Sequence, residues 1–166
     1  ISYDETTSSL IIPLHQLCAD MIGRKVERIE GSGGFGADSK SYPLPDANGK
    51  IGKLISVDID KMKINWTHEQ EAMFLTSSLS TAGGLTFIGD LDRYFKAFNS
   101  KTGELLWKTR LGSVLHGFPI TYSVGKKQYV AITSGMGVFR ALTATISPDI
   151  YQPENGNAIY VFELEE

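Results

Sequence analysis

The side chains in this sequence that could do acid–base, nucleophilic or metal chemistry are few and far apart. Three histidines, His15, His68 and His116, lack the close spacing that metal ligands show in sequence. Cys18 is the only cysteine, and no base is recognisable beside it. We therefore interpret Cys18 as a small buried apolar residue rather than a nucleophile. We also predict no metal site from the histidines.

Two further polar motifs have simple structural explanations. Residues 31–36 read Gly-Ser-Gly-Gly-Phe-Gly, but they neither follow a clear strand nor open a helix. They therefore offer no helix N-terminus to a phosphate, and we interpret them as a flexible loop. Asp90 and Asp92 lie in a Gly-Asp-Leu-Asp-Arg segment, where a hairpin turn favours aspartate for its own geometry.

Composition narrows the class of protein before any motif is used. The 166 residues are enough for one ordinary core, and their formal charge of −3 gives no electrostatic case for nucleic acid or an anionic membrane. No apolar run approaches the about 18 residues of a membrane span. Seventeen glycines with seven tyrosines and eight phenylalanines favour strands and turns over helices.

The elements that must position these residues are organised around residues 97–107, Ala-Phe-Asn-Ser-Lys-Thr-Gly-Glu-Leu-Leu-Trp. Two apolar runs flank a polar turn in which Gly103 can take positive φ, so the segment predicts a β-hairpin. A weaker copy lies upstream: Asp58 precedes Trp66 by eight residues, as Asn99 precedes Trp107. The two tryptophans are 41 residues apart. A strand-rich repeat of about forty residues closed by tryptophan indicates propeller blades.

The repeat predicts three units, at about 1–68, 76–109 and 118–163. Ile1-Ser2-Tyr3 precedes Leu10 by the spacing with which Ile120-Thr121-Tyr122 precedes Tyr129. We therefore expect the chain to begin inside a repeat and to be a piece of a longer protein. Each unit should be a four-stranded antiparallel meander, and the third ends before its outer strand. The predicted fold is all-β, a partial β-propeller of about three blades that another segment or chain completes, because an open edge invites pairing.

Two long insertions interrupt the units, at residues 15–52 and 134–157. Both leave the second strand of a unit, so the repeat places them on the same face. Loops of this length in a compact β domain are uncommon and are usually functional or disordered. We interpret these two as functional, because repeat folds build sites from loops on one face.

The repeat also predicts that two residues lie at the same depth along the central channel of the propeller. Leu75 follows Trp66 by nine residues, and His116 follows Trp107 by nine. Both immediately precede the first strand of a unit, which is innermost in a propeller, so both should lie near the central channel. There His116 could meet a ligand or cap a strand end. The tryptophans themselves we interpret as structural, wedged between neighbouring units.

Several longer runs resemble one known family. Residues 82–90, Ala-Gly-Gly-Leu-Thr-Phe-Ile-Gly-Asp, are followed by Phe-Lys-Ala-Phe at 95–98 and Lys-Thr-Gly-Glu-Leu-Leu-Trp at 101–107. Together they resemble the tryptophan-docking blade of pyrroloquinoline-quinone (PQQ)-dependent alcohol dehydrogenases. Residues 117–122 with 127–131 resemble the next blade, and 146–149 with 157–162 are similar to that family's C-terminus. The resemblance covers nearly the whole chain.

The resemblance implies an eight-bladed propeller with PQQ and a Ca²⁺ or lanthanide ion on its axis. In such enzymes an aspartate acts as base while hydride passes from the alcohol to the quinone, whose carbonyl the metal polarises. The resemblance places the metal ligands and the catalytic aspartate in blades before Ile1, so it implies no catalytic and no metal-binding residue in this chain. It also implies that the last blade takes its outer strand from the N-terminus of the full chain.

Two regions of this chain are implied as cofactor-binding. One is the start of the second unit, where Leu75 replaces the tryptophan that the family often places under the quinone. Neighbouring Phe74 could substitute for that ring, Thr76 continues the segment, and His116 shares its depth. The other is the glycine-rich turn, of which the expected contacts are Gly137, Val138 and Phe139, through backbone amides and an apolar wall.

The resemblance implies that the chain is part of a periplasmic PQQ-dependent alcohol dehydrogenase that oxidises an alcohol to an aldehyde. Its implied partners are the remaining N-terminal propeller blades, a small alcohol and a cytochrome c electron acceptor, with no nucleic acid. The alternative is a non-catalytic propeller scaffold that binds proteins, similar to outer-membrane assembly factors. The long loops and the C-terminal run favour the enzyme, whereas Leu75 in place of tryptophan favours the scaffold.

Overall fold

The fold is described from a computed structural model, for residues 1–26, 30, 36–137 and 139–164. In chain order its elements are β1 (Ser2–Asp4), β2 (Ser9–His15), β3 (Leu17–Gly23), β4 (Ala37–Pro43), a 3₁₀ turn (Pro45–Ala47), β5 (Gly52–Asp58), β6 (Lys63–Gln70), β7 (Leu79–Ser80), β8 (Leu85–Gly89), β9 (Tyr94–Asn99), β10 (Leu105–Arg110), β11 (Ile120–Val124), β12 (Lys127–Ser134), α1 (Arg140–Ile146) and β13 (Ala158–Leu164).

Three antiparallel sheets follow one another along the chain. Sheet one has the order β1-β2-β5-β6, sheet two β7-β8-β9-β10, and sheet three β11-β12-β13. Their strands lie within a few residues of those that the repeat predicts, and sheet three has three strands in the described part of the chain. The predicted fold class, a partial β-propeller of antiparallel blades, is confirmed.

The same polar turn closes the outer hairpin of sheets one and two. In sheet two, Oδ1 of Asn99 accepts hydrogen bonds from the backbone N–H of Lys101 and Thr102 at 2.9 and 3.1 Å. In sheet one, Asp58 accepts from Asp60 and Lys61 at 3.0 and 2.8 Å. Such bonds from Asn or Asp to the residues that follow stabilise a turn. The upstream segment is therefore a structural copy of the downstream hairpin, as the sequence predicts.

A β-bulge follows this turn in both sheets and sets the direction of each tryptophan. The register shifts between Leu105 and Trp107 on β10, and at the equivalent place beside Trp66 on β6. Because a strand alternates its faces with every residue, one extra residue turns the tryptophan to the face opposite to the one that plain alternation would give.

Trp66 joins sheet one to sheet two. Its ring lies on Gly103, where a Cβ would come within 2.6 Å of the ring, and its Nε1 donates a 2.8 Å hydrogen bond to the carbonyl of Ser100. Gly103 also has a φ of 74°, so the turn needs glycine for its backbone and for this close approach. The two sheets share a core of buried apolar side chains: Ile11, Leu54, Trp66, Phe74, Ile88 and Phe98. The interpretation of Trp66 as a wedge between units is confirmed.

Sheets two and three pack through a second core. Phe87, Phe95 and Ala97 of sheet two meet Val130 and Ile132 of sheet three in one buried cluster. Trp107 lies at the margin of this contact, edge-on to Phe95 and to Phe162 at centroid distances of 6.2 and 5.3 Å. Its side chain stays 40% exposed, unlike that of Trp66 at 9%.

The two insertions are more ordered than long irregular loops. The first forms the antiparallel ribbon β3–β4, and the second contains the short helix α1. Ile51 after the ribbon and Ile146 of α1 enter one buried cluster with Met73, Leu91 and Val114, so both insertions lie on the same face, as predicted. Residues 31–35 of the glycine-rich motif lie outside the described residues. Among the described helices, none has the length and hydropathy of a membrane span.

Candidate functional site

A pocket of about 390 Å³ opens where the starts of sheets two and three meet the two insertions. We call it the shared pocket. It is lined by residues from five stretches of the chain: Ile1, Pro13, His15, Met73, Phe74, Leu75, Thr76, Ser77, His116, Phe118, Phe139, Leu142 and Thr143. The stretch before β7 supplies one wall, the stretch before β11 a second, and the end of β2 together with the segment around α1 supplies the rest.

Most of the site residues expected from the sequence meet in this pocket. Leu75, Thr76, His116 and Phe139 all line it, although Leu75 and His116 are 41 residues apart in sequence. Leu75 and His116, which occupy equivalent positions in the repeat, thus line the same pocket in the structure. Whether they bind a ligand stays a prediction, and Val138 lies outside the described residues.

Phe74 has a different place from the one expected for a stacking platform. Its side chain is 2% exposed and packs in the core between sheets one and two. Because a stacking residue must offer an open ring face to its ligand, Phe74 does not fit as a replacement for the missing tryptophan. The residue that faces the pocket at this point is half-buried Leu75.

His116 is held by the glycine-rich turn on one side. The ring of Phe139 stands edge-on to the His116 ring at a centroid distance of 5.5 Å. A Cβ on Gly137 would come within 2.7 Å of His116 Nδ1, so only glycine allows the turn to lie this close without displacing the imidazole. Gly137 therefore supports the pocket by contact with His116, and its backbone remains exposed.

His15 is a pocket residue that the sequence did not reveal. It ends β2, and its Nε2 lies 2.7 Å from the carbonyl oxygen of Phe74, so that this nitrogen carries the proton and donates it. His15 stands where the first insertion leaves its sheet. Nothing in the sequence indicated that this end of β2 comes beside the segment that contains Leu75.

The lining chemistry suits a flat acidic molecule. Leu75, Phe139 and Leu142 offer apolar surface, His15 and His116 offer ring nitrogens, and no aspartate or glutamate belongs to the lining among the described residues. A carboxylated ring system would therefore find apolar walls and hydrogen-bonding groups without a like charge beside it. The residues present fit PQQ in this respect.

A buried ion pair lies beside the wall of the shared pocket. Asp90 is fully buried, and its Oδ2 is 2.7 Å from Nζ of Lys96. Gln70 donates to the same carboxylate oxygen at 3.1 Å, and its own carbonyl accepts from Lys96. Turn geometry alone therefore does not account for Asp90. Its Oδ1 does accept from the N–H of Tyr94 at 2.9 Å in the turn. Its Oδ2, however, is bound by Lys96 and Gln70.

His68 stands next to this ion pair and against the aromatic core. Its ring is edge-on to Phe98 at a centroid distance of 4.9 Å. Burial, and then the positive charge of Lys96, lower the pKa of His68 below the ordinary value for histidine. His68 is therefore an uncharged packing residue at neutral pH. In the described part of the chain, no three His, Cys, Asp or Glu side chains come together as a group that could hold a metal ion.

Successive antiparallel sheets, two of four strands and one of three, with Trp66 docked between the first two and Trp107 at the margin of the next contact, define the class as β-propeller blades. The family profile described as "PQQ: Glucose/ethanol/alcohol dehydrogenase, beta-propeller domain" matches residues 47–130, just over half of the chain. The chain belongs to this family of PQQ-dependent dehydrogenases.

Individual relatives agree with that assignment. The quinoprotein ethanol dehydrogenase of Pseudomonas aeruginosa is 30% identical over 165 residues, which are 99% of this chain and 26% of that protein. The lanthanide-dependent methanol dehydrogenase of Methylorubrum extorquens is 32% identical over 136 residues, 82% of this chain and 23% of that protein. The chain thus spans about a quarter of the length of these curated relatives.

Solved structures show the same fold. A europium-containing methanol dehydrogenase superposes with a TM-score of 0.85 at 28% identity, over 98% of this chain and 32% of that chain. The quinohemoprotein alcohol dehydrogenase of Comamonas testosteroni gives a TM-score of 0.76 over 98% of this chain and 25% of that chain. At 21% identity this second likeness concerns the fold alone.

Proposed function

We propose that this chain supplies part of the cofactor site of a PQQ-dependent dehydrogenase that oxidises a small alcohol to an aldehyde. The observation that carries the proposal is the shared pocket, in which residues expected to approach the cofactor come together from separate units. The family relation supports the same reading. Catalytic base and metal ligands, for Ca²⁺ or a lanthanide, come from other blades in this proposal.

Each pocket residue has a role in binding rather than in bond making. Leu75 and Phe139 would contact the faces or edges of the flat ring system, and Gly137 would approach it with bare backbone. His116 would hydrogen-bond to its acidic groups, whereas His15, whose Nε2–H already donates to the carbonyl of Phe74, would only line the pocket. The chemistry that the quinone supplies when bound is acceptance of a hydride from the alcohol carbon.

We also propose the partners and location that this function requires. The remaining propeller blades would complete the pocket and cover the open faces of sheets one and three. A cytochrome c would accept the electrons, and the periplasm would be the compartment. These proposals have the family relation as their support.

A tryptophan placed in the pocket would test the proposal directly. In the complete protein that carries these blades, the variant Leu75→Trp puts a fluorophore on the pocket wall. We expect added PQQ to quench its emission with a saturable dependence on concentration, because the quinone would lie in contact with the new ring. Leu75 is half-buried and lines a pocket of about 390 Å³, so we expect the larger ring to be accommodated.

A matched control separates binding from collisional quenching. Met21 lies on the exposed ribbon strand β3, away from the shared pocket, with its side chain 68% exposed. Met21→Trp should show only weak, linear quenching. Equal quenching in both variants, or none in Leu75→Trp while the protein is folded, would refute cofactor binding at this pocket and favour a scaffold.

A further inference from the structure

The two walls of the shared pocket are tied together by one short segment between them. This segment, residues 89–91, joins the end of β8 to the turn before β9. On one side Leu91 donates its N–H to the carbonyl of Met73 at 2.9 Å, and Asp90 forms an isolated antiparallel bridge with Phe74. On the other side Leu115 donates its N–H to the carbonyl of Asp90 at 3.3 Å. Residues 73–77 and 114–116 are the segments that carry Leu75 and His116 to the pocket.

Gly89 shows how tightly the three segments fit. A Cβ at this position would come within 2.6 Å of Leu115 Cβ and 2.9 Å of Thr76 Cγ2. The N–H of Gly89 also donates to Thr76 Oγ1 at 2.9 Å. The walls are therefore held at the distance that a bare backbone permits, and any movement of residues 89–91 would be passed to both.

The side chain of Asp90 fixes this segment from the core side. Its two oxygens take three bonds, from Tyr94 N–H, Gln70 Nε2 and Lys96 Nζ. Gln70 Nε2 also donates to the carbonyl of Ala72 at 2.7 Å, directly before the first wall. Asp90 is fully buried and Lys96 is 8% exposed, so removal of either charge would leave the other without a charged partner in a nearly dry environment.

We propose that Asp90 is the positioning residue of the shared pocket, with Lys96 as its counter-ion. It holds residues 73–77 and 114–116 at the spacing at which Leu75 and His116 can both meet one flat cofactor. This inference rests on the proposed function for the identity of that cofactor. The geometry of the three segments does not depend on it. Asp90 touches none of the reacting atoms in this proposal.

Two measurements on the complete protein test the role of Asp90. The variant Asp90→Asn keeps the shape of the side chain and removes its charge. We expect hydrogen–deuterium exchange of the cofactor-free protein to accelerate at the amides of residues 89–91 and 114–116. We further expect the dissociation constant for PQQ to rise by about tenfold or more, because small displacements of positioning groups have effects of that size.

Asp92 offers a matched control in the same turn. Its carboxylate pairs with Arg110 at the surface, where the two side chains are 29% and 44% exposed. Asp92→Asn makes the same chemical change two residues away, so we expect local exchange and PQQ affinity to stay near the wild-type values. Lys96→Arg, which keeps the counter-ion, should also retain most of the affinity.

Each outcome decides between positioning and plain support of the fold. Faster exchange in Asp90→Asn with unchanged PQQ affinity would overturn the proposal, as would an equal loss of affinity in Asp92→Asn. If Asp90→Asn does not fold, the double variant Asp90→Asn, Lys96→Met carries the same expectation, because it leaves no unpaired charge. If wild-type protein does not bind PQQ, the proposed function fails, and unchanged exchange at residues 114–116 in Asp90→Asn would still overturn the positioning role.

Discussion

His116 is the residue on which the site assignment depends most at the scale of single side chains. It is half-buried, stands edge-on to Phe139, and is closely approached by Gly137. Its repeat position predicted that it would come beside Leu75, and that juxtaposition is observed. His15 and Asp90 could not be found in this way, because their roles arise from contacts between segments far apart in sequence.

The variant His116→Ala should weaken cofactor binding in the complete protein without unfolding it. The imidazole is partly exposed at a pocket wall, so its loss removes a binding group and only a small part of the core. We expect a several-fold rise in the dissociation constant for PQQ, about 1 kcal/mol for one hydrogen bond, with little change in melting temperature. His116→Gln, which keeps a hydrogen-bond donor, should recover part of the affinity. A large drop in melting temperature with normal affinity would assign His116 to the fold instead.

His68 should make stability depend on pH. Because burial and Lys96 lower its pKa in the folded state, the unfolded chain binds a proton more readily. The free energy of unfolding should therefore fall as the pH falls below about 6.5, the ordinary pKa of histidine. The measurement is the melting temperature of the complete protein, as wild type and as His68→Gln, at about pH 7.5 and about pH 5.5, on either side of the histidine range. A pH dependence of the same size in His68→Gln would contradict the prediction.

At the scale of elements, the repeat predicted the strands and turns, which depend on neighbouring residues. It missed the bulges, the ribbon and the helix, which depend on packing between distant segments. Strands and turns follow from alternating apolar residues and from Asn99, Asp58 and Gly103, all of which act within a few residues. The bulge before each tryptophan cannot be recognised from the amino-acid composition of the strand. The ribbon β3–β4 and helix α1 were expected only as loops. Ile146 of α1 is buried in the cluster around Met73 and Val114, against which Leu17 of the ribbon also packs, and such contacts between distant segments cannot be seen in local periodicity.

The docked tryptophans give a prediction about contacts between sheets. Trp66→Ala should lower the free energy of unfolding of the complete protein by about 3–5 kcal/mol, as other large-to-small core changes do. Turnover per folded molecule should stay nearly unchanged, because Trp66 lies outside the shared pocket. Urea denaturation followed by tryptophan fluorescence, with activity normalised to folded protein, measures both. Lost activity at unchanged stability would point to a ligand-binding role for Trp66.

Trp107 provides the comparison for that experiment. It is 40% exposed against sheet three as described, so in this state Trp107→Ala would cost only about 1–2 kcal/mol of buried surface. In the complete propeller that we propose, a further strand beside β13 would cover it. The cost of Trp107→Ala should then approach that of Trp66→Ala. A cost that remains small in the complete protein would mean that no strand covers the ring.

At the scale of the whole molecule, large apolar side chains remain on the outer faces of the arc. Ile120, Val124 and Ile159 of sheet three are 57, 61 and 73% exposed, and Ile64 of sheet one is 58% exposed. Strand β13 also has an edge with no partner in the described part of the chain. Repeat folds bury such faces against neighbouring units, so these surfaces are consistent with the further blades that we propose.

The 166 residues by themselves should therefore fold poorly. The core that two four-stranded sheets and one three-stranded sheet share is small, and the exposed faces and the edge favour association over a monomeric native state. We expect the purified chain to show no cooperative thermal transition as a monomer, as followed by circular dichroism with light scattering in parallel. A sharp, reversible transition of a monomer would contradict both this prediction and the proposal that other blades complete the structure.

The side chain of Met62 indicates which interface between blades of such a propeller would be the weakest. It occupies the turn position of sheet one that Gly103 occupies in sheet two, with a φ of 52° and its side chain 79% exposed. An aromatic ring from a preceding blade could not lie flat on this turn as Trp66 lies on Gly103, because a side chain stands in its place. The interfaces between blades would thus differ in how closely they pack. We expect the propeller to open first, under heat or denaturant, at the interface in front of sheet one.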